Sequence, residues 1–318
     1  MAGTEKLNRI LVIKHGALGD VVLAQSPFQA IRKAHPEAKI TLLTTKPFAA
    51  FLEKSGLFDE VWIDSRPKIW QLGELVPLVR KLRGAKFDRV YDLQTSSRSN
   101  SYFRFFPRGA KPEWCGVAPG CSHPHTSPMR TKIHTIERHV DQLSVAGITD
   151  IPPADFTWAM TDIAKYELPR PFALLVPGGS AHRPEKRWPA QKFAELAVWL
   201  QQQGMTPVLI GGPAEAEAIA LIRMACPAAV DLSSKTDFGD IAALGRDATL
   251  AVGNDTGPMH LIAAVGCASL VLFSAASDPH MSRPRGRKVN ILREDDLANL
   301  PFEMVLNSLP LEGDEDQK

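Results

Sequence analysis

Short apolar runs recur along this chain, and most lead within a few residues into a longer stretch whose apolar positions return every three to four residues. The first run, 9–13 (RILVI), passes through a polar, glycine-bearing turn into a predicted helix over 21–34, with Val21, Val22, Leu23, Phe28 and Ile31 at helical spacing. Further strands are predicted at 40–43, 61–63, 87–91 and 113–117, and helices at 48–54, 72–82 and 133–146. Residues 151–170 are proline-rich and keep no steady period, as an interdomain linker would. A second series then starts afresh. Its strands are predicted at 172–176, 206–210, 229–231, 248–252 and 270–273, and its helices at 190–203, 214–224, 237–244 and 259–265. Strands that are apolar throughout and alternate with helices belong in a parallel sheet covered on both faces. The pattern therefore predicts an α/β protein of two Rossmann-like, doubly wound domains, 1–160 and 161–318, facing each other across a cleft. Functional sites are expected at the carboxyl ends of the strands. The acidic stretch 312–317 carries no such pattern and is expected to be a disordered tail.

Composition adds bounds rather than a function. A length of 318 residues is enough for two cores, and 44% hydrophobic with 23% charged residues is ordinary for a globular protein. The net charge of +2 hides a local imbalance: between residues 60 and 140, five Lys and nine Arg stand against seven Asp and Glu. That half either meets an anionic partner or presents a solvated basic face. No apolar run approaches the ~18 residues of a spanning helix, and the polar start at 1–8 is not a signal peptide. The expectation is a cytoplasmic protein with no nucleic-acid partner. Cys226 and Cys267 lie in apolar contexts that suit buried thiols. Cys115, Cys121, His123 and His125, in and beside a Pro- and His-rich loop over 118–129, match no standard zinc spacing, so no metal is expected.

The chemistry gathers at turns. Residues 252–261 (VGNDTGPMHL) run from a strand through a tight polar turn into a helix start, the arrangement that presents free backbone N–H groups and a helix dipole to an anion. Asp255 or Thr256 can cap that helix, Gly257 lets the backbone approach a ligand, Pro258 suits a first helical position, and His260 faces either ligand or core. The same residues also make an ordinary, well-capped turn. Earlier in the second half, Gly178, Gly179 and Ser180 can wrap a phosphate with N–H groups, and Lys186 can bring a cation to a diphosphate. A third turn, 210–215 (IGGPAE), places Glu215 either to accept ribose hydroxyls or to serve the helix dipole. Three glycine-bearing turns on one sheet edge favour a nucleotide site. There is no GxxxxGK[ST] and no GxGxxG after the first strand, and the one DxD (Asp314, Asp316) lies in the tail.

In the first half Asp20 is the sharp candidate. It follows Lys14, Gly16 and Gly19 in the first turn of the series and reads either as a helix-capping acid or as a general base. Arg66, Lys68 and Arg98 are cations on the same half that can grip an anionic acceptor, with His134, Arg138 and His139 as weaker candidates. Tyr102, Phe103, Phe105 and Phe106 read as a core face rather than a lipid contact.

In order along the chain, "ILVIKHGALGDVVLAQSPFQAIRKAHPEAKITLLT", "DLQTSSRS", "HTIERHVDQLSVAGI", "PGGSAHRPEKRWP", "GGPAEAEA" and "VGNDTGPMHLIAAVGCASLVLFSAASDP" resemble glycosyltransferase family 9, the bacterial lipopolysaccharide heptosyltransferases. The resemblance covers residues 9–279. It implies a GT-B fold, an ADP-heptose donor held by the second half, inverting transfer with no cofactor or metal, and an acceptor that is Kdo-lipid A or its heptosylated form. It also implies that Asp20 is the catalytic base and Lys186 the phosphate-neutralising lysine. Asp255, Thr256, Gly257 and His260 would form the donor-binding DTGxxH motif, with Glu215 a nucleoside contact. Ser180 falls near donor-contacting threonines, although the loop to Lys186 differs in length. Lys14, Gly19, Arg66, Lys68, Arg98 and Arg138 would serve the acceptor, with peripheral contact at the cytoplasmic face of the inner membrane. A transferase using another nucleotide sugar, or a nucleotide-sugar epimerase of similar fold, is the alternative.

Overall fold

In the computed structural model, which describes residues 7–179 and 183–311, the chain divides after Asp155 into two units, each with its own sheet and core. The boundary follows hydrogen bonding. Asp155 is held to the first unit by Gln25 and Gln29, whereas the carbonyls of Phe156 and Ala159 accept from Arg246 of the second.

The first unit contains β1 (Arg9–Ile13), β2 (Lys39–Thr44), β3 (Glu60–Ile63), β4 (Arg89–Asp92), β5 (Glu113–Gly116) and β6 (His123–Pro124), all parallel, in the order β3-β2-β1-β4-β5-β6. Its helices are α1 (Leu18–Val22), α2 (Gln25–Ala34), α3 (Lys46–Glu53), α4 (Leu72–Gly84), α5 (Ser97–Tyr102) and α6 (Thr135–Val145). The second unit repeats the plan with β7 (Phe172–Val176), β8 (Thr206–Leu209), β9 (Val230–Asp231), β10 (Leu250–Asn254), β11 (Ser269–Phe273) and β12 (Val289–Arg293), again parallel, in the order β9-β8-β7-β10-β11-β12. Its helices are α7 (Ala190–Gln202), α8 (Ala216–Ala225), α9 (Phe238–Asp247), α10 (Gly257–Ala264), α11 (Pro279–Ser282) and α12 (Phe302–Asn307). Counted within each unit, both sheets follow the doubly wound order 3-2-1-4-5-6.

Several features depart from the sequence reading, the short helices α5, α11 and α12 among them. The helix expected over 21–34 is two, because Pro27 has no N–H to offer the Leu23 carbonyl and the ladder breaks there. The first piece starts at Leu18, so Gly19 and Asp20 are helical residues. β10 runs two residues further than expected and ends on Asn254. Two strands escaped the pattern: β6 has two residues, and the half-buried β12 at the sheet edge mixes Asn and Arg among its apolar positions. Tyr102, Phe103 and Phe106 pack with Trp114 in the first core, as a core face should. Among the described residues no helix is long and apolar enough to cross a membrane.

Candidate active site

Ligands of doubly wound sheets sit beyond the strand carboxyl ends where the strand order reverses. Those points fall between β1 and β4 and between β7 and β10.

In the second unit, β7 and β10 pair with Gly253 opposite Val176, which lays the loop after β7 beside the loop after β10. Asn254, fully buried at the end of β10, ties them together. Its Nδ2 donates to the carbonyls of Pro177 at 3.0 Å and Gly178 at 2.9 Å, while its Oδ1 accepts from the Trp188 N–H at 3.1 Å. Trp188 is itself buried against Phe193 and donates to the Leu300 carbonyl, which seats Lys186 and Arg187 just ahead of it. One amide therefore sets the spacing of three loops. Asn254→Leu keeps most of the volume but leaves a buried N–H and two carbonyls unpaired. It is expected to cost about 2–4 kcal/mol, read as a lowered thermal midpoint.

Lys186 reaches Asp255, Nζ to Oδ2 at 3.0 Å, with both side chains largely buried. Burial works against a charged Asp255, but the neighbouring His260 and Ser277 side chains and the Lys186 ammonium outweigh it and hold the carboxyl at about 2. His260 is buried with Nε2 3.8 Å from Asp255 Oδ1, so it faces the acid. Thr256 takes the N-cap position of α10 yet makes no side-chain cap, and Pro258 sits in the first turn. Thr256 Oγ1, His260 Nδ1 and Arg187 Nε are all buried without a hydrogen-bond partner among the described residues. Buried polar atoms rarely stay unpaired. Thr256 at the N-cap and His260 in α10 put two of them at one helix N-terminus that lacks a side-chain cap, where the dipole favours an anion, and Arg187 puts the third beside Gly179 and Glu215.

Glu215 does local work. Its Oε2 accepts from the Gly212 N–H at 2.8 Å, and its Oε1 lies 3.6 Å from Arg187 Nη2, which donates to the Gly179 carbonyl at 2.6 Å. A Cβ on Gly178 would meet Glu215 at 3.2 Å and one on Gly179 would meet Arg187 at 2.9 Å, so these glycines make room for the two side chains. Ser180 lies outside the described residues.

In the first unit, β1 runs into Lys14, buried, with its Nζ donating to the Leu93 carbonyl at 3.2 Å. Gly16 has a φ of +120°, and a Cβ there would strike the Phe48 ring. Asp20 stands in the first turn of α1, whose N-cap is Ala17 and carries no side-chain cap. The carboxylate is not spent on capping. Burial pulls the Lys14 ammonium below the usual lysine range while the charge of Asp20 opposes it, and Arg138 on α6 is affected in the same way. Lys14, Asp20 and Arg138 thus share one electrostatic neighbourhood.

Arg66 and Arg98 gather next to it. Arg66 Nη2 donates to the His15 carbonyl at 3.4 Å, and Arg98 Nη1 to the Pro67 carbonyl at 3.0 Å. Lys68 lies instead over the exposed Trp70 ring, 5.1 Å from its centroid. The loop ends are braced from behind by side-chain pairings that the sequence does not display. His15 Nε2 is 2.9 Å from Asp64 Oδ2, to which the Tyr102 hydroxyl also donates. The His15 N–H donates to Gln94 at 2.8 Å, and Asp92 accepts from the Gln94 and Thr95 N–H groups at 3.1 and 3.0 Å. Burial pushes Asp92 up to about 6 despite those bonds. For Asp64, Asp92 and Asn254 one signal was available: a polar residue at the end of an apolar run. The cysteine and histidine loop is committed elsewhere, with Cys115 donating to the Gln142 carbonyl and His125 paired with Asp141. Among the described residues no three His, Cys, Asp or Glu side chains converge as metal ligands.

A family model described as glycosyltransferase family 9 (heptosyltransferase) matches residues 75–305. Lipopolysaccharide heptosyltransferase 2 of Escherichia coli is 23% identical over 90% of this chain and 88% of its own length. Among solved structures, a glycosyl transferase family 9 protein from Veillonella parvula superposes with a TM-score of 0.82 at 22% identity, covering 96% of this chain and 97% of the other. The E. coli heptosyltransferase WaaC with ADP gives a TM-score of 0.75 at 20% identity, covering 94% and 98%. Two parallel sheets of this order, with these structural likenesses, define a GT-B fold, and the family model makes the protein a glycosyltransferase. The chain belongs to glycosyltransferase family 9, the heptosyltransferase family.

Proposed function

We propose that this enzyme moves a heptose from ADP-heptose to the inner core of lipopolysaccharide, accepting Kdo-lipid A or heptosyl-Kdo-lipid A, with inversion and without a metal ion, at the cytoplasmic face of the inner membrane. The observation that carries the reading is the N-terminus of α10, which has no side-chain cap, with Lys186 beside Asp255 and with Thr256 Oγ1 and His260 Nδ1 buried without a partner among the described residues. The second unit would hold the donor, its diphosphate at the N–H groups of α10 and Lys186, and its nucleoside toward Glu215. Gly178 and Gly179 would line that seat, together with Ser180. The first unit would hold the acceptor, with Arg66, Arg98 and Arg138 gripping its anionic groups.

In this reaction Asp20 takes the proton of the acceptor hydroxyl as that oxygen attacks the anomeric carbon from the face opposite ADP. The bond to the diphosphate oxygen breaks, and the electron pair leaves with ADP. A carboxylate is a weak base toward an alcohol in the ground state, yet the hydroxyl acidifies as the new bond forms. The larger demand is then the charge growing on the diphosphate, which fixed donors at a helix end and an ammonium meet without reorganising.

Titration calorimetry with ADP-heptose against UDP- and GDP-sugars, followed by product analysis with acceptor, tests this. The expected result is selective binding of ADP-heptose and a product of inverted configuration. Turnover is expected to be unchanged by excess EDTA, because the cationic work falls to Lys186 and α10. Preference for another nucleotide, conversion of donor without acceptor, or loss of turnover in EDTA would each count against it.

A further inference from the structure

Among the described residues ten large hydrophobic side chains stand exposed, and five of them fall within a 14-residue stretch: Ile63, Ile69, Trp70, Leu72 and Val76. Trp70 is 69% exposed and Ile69 79%. The helix that follows explains why they stay uncovered. Leu75, Leu78, Val79 and Leu82 turn the inner face of α4 toward the core. Leu72 and Val76, one turn apart, share a different face and continue along it into exposed Arg80 and Arg83. Charge is one-sided here. From 63 to 111 there are eleven Lys and Arg against four Asp and Glu, and Asp64 and Asp92 of the four are buried. The basic side chains also lie over aromatic rings, Lys68 on Trp70 at 5.1 Å and Lys111 on Phe103 at 3.7 Å.

We infer that this face is a docking surface for an anionic phospholipid bilayer, with Trp70, Ile69 and Leu72 entering the headgroup and acyl boundary and Arg80 and Arg83 meeting lipid phosphates. An exposed Trp beside short aliphatics, flanked by long basic side chains, matches a membrane interface: the ring sits at headgroup level, the stems cover apolar surface, and the heads reach anionic lipid. A protein partner of equal hydrophobicity would not call for the eleven-to-four excess of basic residues. The inference rests on the proposed function only in that its acceptor is a membrane lipid.

Co-sedimentation of the full chain with phosphatidylcholine vesicles, with and without phosphatidylglycerol, reads the surface directly. Binding is expected only with the anionic lipid and should weaken as salt rises. Trp70→Ser with Leu72→Ser is expected to weaken it by about tenfold or more with an unchanged melting curve, and Arg80→Gln with Arg83→Gln by about 30-fold, with only the small loss of stability that follows from the Arg83 Nε bond to the Phe105 carbonyl. Each pair should depress transfer to an acceptor held in vesicles but not to a deacylated soluble acceptor. No binding to anionic vesicles, equal binding by the variants, or sedimentation equilibrium showing that Trp70→Ser dissolves a dimer instead would overturn the inference. Vesicle binding in an enzyme that transfers no heptose would overturn the proposed function and leave this surface standing.

Discussion

Asp20→Asn is expected to lower heptosyl transfer by about 10²–10⁴-fold, the range that a positioned general base supplies, while leaving ADP affinity unchanged. Asn keeps the size and removes the negative charge, and with it the ability to take a proton. The residue is a clean target because α1 has no side-chain cap for the substitution to break. Donor affinity should survive because the proposed donor groups all belong to the other unit, with a separate sheet and core. The structure adds a second effect. Asp20 helps to keep the buried Lys14 and the half-buried Arg138 charged, so its loss should push the Lys14 ammonium further down and cost some stability. Initial rates with saturating ADP-heptose, calorimetry with ADP and a melting curve separate these effects. Near-normal turnover in a folded Asp20→Asn enzyme would remove the base assignment.

The parallel strands were legible because a sheet covered on both faces writes its interior as unbroken apolar runs, as in β1, β7 and β11. Where the covering stops, so does the signal: β12 and β6 lie at sheet edges and read as loop. The turns after β1, β7 and β10 could be read as candidate sites because glycine, a capping residue and a helix start are local features. What holds those turns in place is not local. Asn254 joins Gly178, 76 residues away, to Trp188, 66 residues away, and Tyr102 meets Asp64 across 38. Such partners are set by the strand order, which a single sequence does not display. For the same reason the sequence does not show that Lys68 lies over the exposed Trp70 ring. Lys186, which the sequence offers as a cation for a diphosphate, is paired with Asp255, 69 residues away.

That pairing shapes the expectation for Lys186→Ala, which is a fall in turnover of about 10²–10³-fold from the loss of one preorganised electrostatic donor. The lysine is already paired with Asp255, so an arriving diphosphate competes with Asp255 for it, and the gain is concentrated where charge on the diphosphate is greatest. Removing Lys186 also strands a largely buried carboxylate, a loss of up to about 3 kcal/mol. Stability and catalysis can be told apart through Asp255. Its carboxyl is held at about 2 in the folded protein, against about 3.9 unfolded. The resulting stabilisation is fully present above about pH 4 and is lost as pH falls through 2; it amounts to about 2–3 kcal/mol. In Lys186→Ala the carboxyl should rise toward its unfolded value, so this acid-limb loss should shrink. Adding Asp255→Asn to Lys186→Ala removes the stranded charge and should restore the melting temperature at neutral pH without restoring turnover. If turnover returns together with stability, Lys186 is a structural partner of Asp255 and the departing diphosphate is stabilised elsewhere.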